Sequence, residues 1–283
     1  MSNHTAPAAD GRVDMARVIN LSRYPLDDLD SAAGTAFTDL CRAEIERTGA
    51  CLLPDFITEN ALDAWRETAL RSESGAHQVK HYFAYGDAGE GTDYDPSTLD
   101  PDDPRNYRSH TAMKFIAKDR IVGDSSIKAV HNWKPMADFV QRVMGQPALP
   151  SICPLSGLVF TIAYETEEQD WHFDANDYIV TLMLQRPSGG GHFEYVPGLR
   201  TPDGGDDYDK IRSVHNGTCP DVIRPPIRPG TLTLFKGRYN YHRASPVTGE
   251  LPRIMAIFSF EREPEKRRSD PEFRRIFYGR APA

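Results

Sequence analysis

Five short apolar runs, cut apart by glycine and proline clusters, dominate the chain after Pro150: Leu158 to Tyr164, Asp177 to Gln185, Gly191 to Val196, Gly230 to Phe235 and Arg253 to Phe260. Each has the length of a strand and is rich in β-branched and aromatic residues, and the breakers between them prevent helices from bridging the runs. Strands at this spacing bury their apolar faces by pairing into a sandwich or by closing into a barrel. Helical patterns gather on the N-terminal side. Thr35 to Thr48 carries Phe37, Leu40, Cys41 and Ile45 at helical spacing, with Gly49 as a stop. Ala50 to Pro54 reads as a short buried strand, and Thr58 caps a second helix bearing Leu62, Trp65 and Leu70. A third helix is expected from about Ser126 to Met144, ended by Gly145 and interrupted by Pro135. The fold class is therefore expected to be α+β, mainly β: a jelly roll with the N-terminal helices packed on one face.

Within 283 residues this pattern predicts one domain over 15–283 after a flexible, polar arm over 1–14. Residues 15–150 form a helical cover and lid, 151–262 the β core, and 263–283 a C-terminal extension. From Ser72 to Arg108 the periodicity disappears, while Tyr82, Phe83, Tyr85, Tyr94 and Tyr107 interrupt a loop-rich composition. That combination predicts a lid over a site. A net charge of −8 excludes a broad nucleic-acid surface, which would need clustered Lys and Arg. No apolar run approaches the roughly 20 residues of a membrane-spanning helix. The N-terminus carries no apolar core of a secretory signal, so a cytoplasmic protein is expected. Cys41, Cys51, Cys153 and Cys219 lie far apart with no CxxC pair, which predicts buried free thiols. The oligomeric state is open from sequence, a homodimer among the options.

The chemistry concentrates in His172-Phe173-Asp174, expected at the start of a strand. Residues two apart on a strand share a face, so the imidazole and the carboxylate can address one cation. His242 is the best third ligand. Two His and one carboxylate on one side of an ion leave three positions open, the facial arrangement of non-haem Fe(II) oxygenases, where a co-substrate and O2 can both reach the metal. Eleven residues later stands Arg253. Alternation puts Arg253, Met255 and Ile257 on one face and Ile254, Ala256 and Phe258 on the other. If the first face lines the barrel, a guanidinium lies inside it and needs an anion, for which a carboxylate is the natural partner. A dicarboxylic 2-oxo acid would reach both the iron and Arg253.

His172-x-Asp174, His242 and Arg253, with Gly230 to Gly237 and His242 to Val247 around them, resemble the iron(II)/2-oxoglutarate-dependent oxygenase superfamily over roughly residues 150–260. The opening Gly49 to Pro54 is similar to that of phytanoyl-type and amino-acid-modifying members. The resemblance implies a double-stranded β-helix, Fe(II), 2-oxoglutarate and O2 as cofactor and co-substrates, release of succinate and CO2, and oxidation of an unactivated C–H bond. It makes His172, Asp174 and His242 both the catalytic and the metal-binding residues, and Arg253 the co-substrate anchor. Halogenating members carry Gly or Ala at the carboxylate position so that halide can bind iron. Asp174 therefore favours hydroxylation, or a related desaturation or cyclisation. The segment from Trp171 to Tyr178 is similar to hydroxylase relatives of the free-amino-acid halogenases, which implies a small polar substrate such as an amino acid or a derivative.

The remaining candidates are secondary. Tyr164 is expected to hydrogen-bond the co-substrate. Asn176 and Asp177, just beyond the ligands, and Tyr82 and Arg105 in the lid are expected to meet substrate. His192, in His192-Phe193-Glu194, is a rival ligand with suitable spacing but no arginine at a fitting interval. Arg243 turns away from the metal face and is expected in a salt bridge. A cupin-like metal hydrolase or isomerase acting without 2-oxoglutarate, or a non-catalytic binding barrel, are the competing functions.

Overall fold

The computed structural model describes residues 13–85, 95–203, 205–263 and 271–280. Most of the expected arm (1–12), Tyr94 and the charged run from Glu265 to Arg268 lie outside the described residues. The helices form where caps and spacing place them. Helix α1 (Ala32–Thr48) starts at Ser31, whose hydroxyl accepts from Gly34 N at 3.0 Å, and ends at Gly49 with φ 82°. Helix α2 (Glu59–Ser72) starts at Thr58, whose hydroxyl accepts from Ala61 N. The third helix divides, as Pro135 implies, into α3 (Ser126–His131) and α4 (Lys134–Met144), with Pro135 in the first turn of α4.

One antiparallel sheet of ten strands carries the rest: β1 (Ala50–Leu53), β2 (His77–Ala84), β3 (Arg108–Ile116), β4 (Leu158–Ala163), β5 (Glu168–His172), β6 (Ile179–Gln185), β7 (Phe193–Val196), β8 (Leu232–Phe235), β9 (Tyr241–Ala244) and β10 (Arg253–Phe258). Its order is β1-β8-β6-β10-β4-β3-β5-β9-β7, with β2 on the outer edge of β3. Strand β3 joins the two halves, because one edge of it pairs at 111–112 with β5 and at 114–116 with β4. The sheet thereby curls into the double-stranded β-helix, and the α+β expectation holds. The 15–150 region is not only a helical cover: it supplies β1, β2 and β3, of which sequence showed only the first. Two further helices, α5 (Tyr208–His215) and α6 (Pro271–Tyr278), lie in segments expected to be loop and extension.

The first half of the sheet has two faces with different occupants. Leu158, Phe160, Ile162, Val180, Leu182, Leu184, Leu232, Leu234, Ile254, Ala256 and Phe258 join the helices in the main core. Their alternates Val159, Thr161, Ile179, Thr181, Thr233, Phe235, Arg253, Met255 and Ile257 line a cavity of about 360 Å³. Trp65 of α2 pins the helical layer to the sheet: it is fully buried, its indole N–H donates to Ser126 Oγ at 2.7 Å, and its ring meets Phe258 at 6.3 Å. All four cysteines are free, and Cys41, Cys51 and Cys153 are buried. No helix among the described residues is long and apolar enough to cross a membrane. Replacing Trp65 with Ala should cost about 3–5 kcal/mol through the cavity left behind, read as a lower urea midpoint, whereas Trp65→Phe should lose much less.

Candidate metal centre

The His-x-Asp pair straddles a strand end rather than opening a strand. His172 is the last residue of β5, and Asp174 follows in the loop, where its N–H donates to the Gly237 carbonyl at 3.1 Å. His242 stands on β9 in register with His172, so the two rings lie 4.2 Å apart between centroids. Ligand atoms of His172, Asp174 and His242 all fall within 4.8 Å of one another, the one such cluster among the described residues. The Nε2 atoms of His172 and His242 lie 3.6 and 3.4 Å from the Asp174 carboxylate oxygens.

Each histidine is oriented from behind. His172 Nδ1 lies 2.6 Å from the Asp170 carbonyl, and His242 Nδ1 lies 2.9 Å from the Asn240 carbonyl. A carbonyl only accepts, so Nδ1 carries the hydrogen and Nε2 offers its lone pair to the cluster. Burial drives the His242 pKa down, which keeps the ring neutral and ligand-ready. Burial alone would push the Asp174 carboxyl up, but the charge and N–H of His242 or His172, when either ring is protonated, hold it well below the usual carboxylate range. Asp174 Oδ2 is nevertheless buried with no hydrogen-bond partner. Two lone-pair nitrogens and an orphaned carboxylate oxygen form the donor set a divalent cation satisfies, so the residues present fit an iron ion.

Asn240 links this centre to the N-terminal layer. Its amide donates to the Gly49 carbonyl at 3.2 Å and accepts from Gly198 N at 2.8 Å, while its own carbonyl holds His242. An aromatic shell backs the other side. Tyr107 donates to the Asp170 carboxylate and stacks on His215 at 3.8 Å; His215 Nε2 in turn meets the Tyr241 hydroxyl at 2.9 Å. Burial lowers the His215 pKa to about 4, so that ring is neutral. Trp171, Phe173 and Tyr85 complete the wall.

Arg253 faces the cavity with Met255 and Ile257, as alternation requires. It is 8% exposed, its Nε donates to the Gly191 carbonyl at 3.1 Å, and no carboxylate pairs with it among the described residues. Burial drives its pKa down to about 10, so it remains a cation at neutral pH without an anion beside it.

The other candidates separate. Asn176 lines the cavity. Asp177 does not; it pairs with Arg262 and, at 3.8 Å, with Arg238. Tyr164 is on the wrong face: its neighbour Ala163 shares the cavity-side face of β4 with Thr161, so Tyr164 turns outward and its hydroxyl donates to Glu73 at 2.8 Å. Tyr82 is 62% exposed and stacks on His110. Arg105 is engaged with Asp103 at 2.7 Å and lies over Tyr208. Neither of these two lines the cavity. His192 stays outside it as well, and its partner Glu194 is buried between Arg224 and Arg243, which uses the carboxylate up. Sequence reasoning missed Thr161, Thr181 and Thr233, although each stands between apolar neighbours in its strand and all three line the cavity. It also missed α6, whose Phe273, Ile276, Phe277 and Tyr278 close the wall beside Phe83 and Phe115.

Fold and donor set together define a double-stranded β-helix carrying a candidate two-histidine, one-carboxylate metal centre. Solved structures with the same fold include the non-haem α-ketoglutarate-dependent epimerase SnoN from nogalamycin biosynthesis, with TM-score 0.53 and 16% identity over 79% of this chain and 82% of that one. AviO1 from Streptomyces viridochromogenes Tue57 gives TM-score 0.54 and 16% identity over 81% and 96%. EctD from S. alaskensis, in a structure with 2-oxoglutarate and 5-hydroxyectoine, gives 0.50 and 15% over 86% and 83%. No curated protein sequence matches this chain significantly. The family model described as "HalD: Halogenase D" matches residues 102–273, and the chain belongs to that family. Asn240→Ala should keep the backbone carbonyl that holds His242 but lose both side-chain bonds. The expected result is roughly a tenfold or greater fall in Co(II) or Fe(II) affinity, measured by titration calorimetry.

Proposed function

We propose that this protein is an iron(II)- and 2-oxoglutarate-dependent hydroxylase acting on a C–H bond of a small molecule, with release of succinate and CO2. The observation that carries the reading is Asp174: a carboxylate stands beside the two histidines at the position left to Gly or Ala in halogenating relatives, and its orphaned oxygen faces the cluster. With a carboxylate as third ligand, the position a halide would occupy is already filled.

In this reading His172, Asp174 and His242 hold the iron, and Arg253 takes the distal carboxylate of 2-oxoglutarate. Bound iron and 2-oxoglutarate supply the activation of O2 for C–H oxidation. The chain's own residues do the rest. The carbonyls of Asp170 and Asn240 keep both imidazoles in the ligating tautomer. Trp171, Phe173, Tyr85, Tyr107 and Tyr241 exclude water and offer an apolar wall to the C–H-bearing part of the substrate. Asn176 lines the cavity and offers a polar contact that orients it, and the Gln169 amide, 3.1 Å from His172 Nε2, becomes free to do so once that nitrogen turns to the iron. A small amino acid or derivative with an aliphatic stretch suits that division.

Anaerobic addition of Fe(II) and 2-oxoglutarate should give the weak visible band of a chelated 2-oxo acid. Arg253→Leu should raise half-saturation by 2-oxoglutarate roughly 30-fold or more, as expected for loss of a buried charge pair. Asp174→Ala should abolish succinate formation. In a substrate screen read by succinate release, product mass should rise by one oxygen. Gain of a halogen, loss of two hydrogens, or turnover without 2-oxoglutarate would each overturn hydroxylation.

A further inference from the structure

Gly237 sits in the turn between β8 and β9, and its lack of a side chain has no conformational explanation. Its φ is not among the positive values that other glycines in the chain adopt. What excludes a side chain is Asp174. A Cβ built on Gly237 would lie 1.8 Å from Asp174 Oδ2, 2.6 Å from Cγ and 2.9 Å from Cβ. Rotating the carboxylate away relieves the first two contacts but not the third, because Asp174 Cβ is fixed by the backbone. The backbones cannot part freely either, since Asp174 N donates to the Gly237 carbonyl at 3.1 Å. The orphaned Oδ2 is therefore held against a bare backbone, five residues before the distal histidine.

We propose that Gly237 is a positioning residue for the metal centre: the space it leaves is what allows a carboxylate to stand at position 174 in ligating orientation. The inference rests on the metal-centre reading above. It makes positions 174 and 237 a coupled pair, in which a carboxylate at 174 requires glycine at 237, whereas glycine at 174 tolerates a methyl group there. The geometry also ranks the partners. Asp174→Ala keeps the Cβ contact at 2.9 Å and relieves the clash only in part, while Asp174→Gly removes it.

The test is a mutant cycle with two readouts. Gly237→Ala is placed in the Asp174, Asp174→Ala and Asp174→Gly backgrounds, and each protein is melted without metal and titrated with Co(II). The loss of Tm on adding Gly237→Ala should be largest with Asp174, smaller with Ala and smallest with Gly. Co(II) affinity should fall about tenfold or more in the Asp174 background, and stay at the weak two-histidine level, unchanged by the alanine, in the Asp174→Gly background. Equal Tm losses in all three backgrounds would show that Gly237 serves the turn itself and would overturn the proposal. So would wild-type Co(II) affinity in the single variant. Wild-type protein that binds no Co(II) would instead overturn the metal reading, a different failure that the metal-free melts keep separate.

Discussion

The antiparallel register between β5 and β9, which sets His172 opposite His242, is the constraint the rest of the structure serves. A slip of one residue would turn His242 outward and bring Arg243 to the metal. Several features fix it. Strand β7 pairs with the other edge of β9, and on that edge Glu194 takes Arg243 at 2.7 Å, which holds the guanidinium over Trp171. Asn240 clamps the start of β9 to the α1–β1 turn, where Gly49 must be glycine both for its φ of 82° and because a Cβ would lie 2.3 Å from the Asn240 amide. The N-terminal layer thus reaches the candidate metal centre through one buried amide as well as covering the barrel.

Legibility in the sequence followed the strength of the local signal. Thr58, Gly49 and Gly145 marked helix ends because capping is satisfied within a few residues, whereas the expected start of α1 at Thr35 falls inside the helix that Ser31 caps. Strands β4, β6, β8 and β10 were legible because one face is buried in the core and the other is buried or half-buried, which makes them nearly continuous apolar runs. Strand β2 hid for the opposite reason. In His77-Gln78-Val79-Lys80-His81-Tyr82-Phe83 only Val79 is buried, so no alternation shows, and its strand character comes from pairing with β3, itself visible only through tertiary contacts. Helix α6 hid behind its charges: Arg274 and Arg275 interrupt Phe273, Ile276 and Phe277, although the spacing fits one helical face.

Within the site, the metal-binding candidates and Arg253 were legible because spacing and chemistry converged on them. Tyr164, whose hydroxyl bonds Glu73 and which does not line the cavity, shows how residue type and strand parity can point apart. A hydroxyl at the end of a strand was chosen for its chemistry, while strict alternation from Val159 through Thr161 already assigned the cavity to the odd-numbered residues. The same parity argument finds the threonine row. Thr181 and Thr233 are direct cross-strand partners, and Thr161 pairs with Met255 one step along the same wall. Asp177 differs again, since Arg262, remote in sequence, pairs with it.

Asp174 carries the main energetic tension of the fold. A buried carboxylate oxygen without a hydrogen-bond donor costs on the order of 1–3 kcal/mol, and two imidazoles whose Nδ1 hydrogens are committed to backbone carbonyls turn lone pairs toward it. Without a cation, the Gln169 amide 3.1 Å from His172 Nε2 can satisfy that lone pair, while a proton on the His242 ring is opposed by the burial that drives its pKa down. A divalent ion supplies positive charge to all three donors at once, so loading the centre should also stabilise the surrounding fold by linkage. A barrel retained only to bind a ligand would gain nothing from keeping this cluster, since an apolar residue at 174 would remove the cost. The same carboxylate meets bare backbone at Gly237, where an added Cβ would lie 2.9 Å from the Asp174 Cβ.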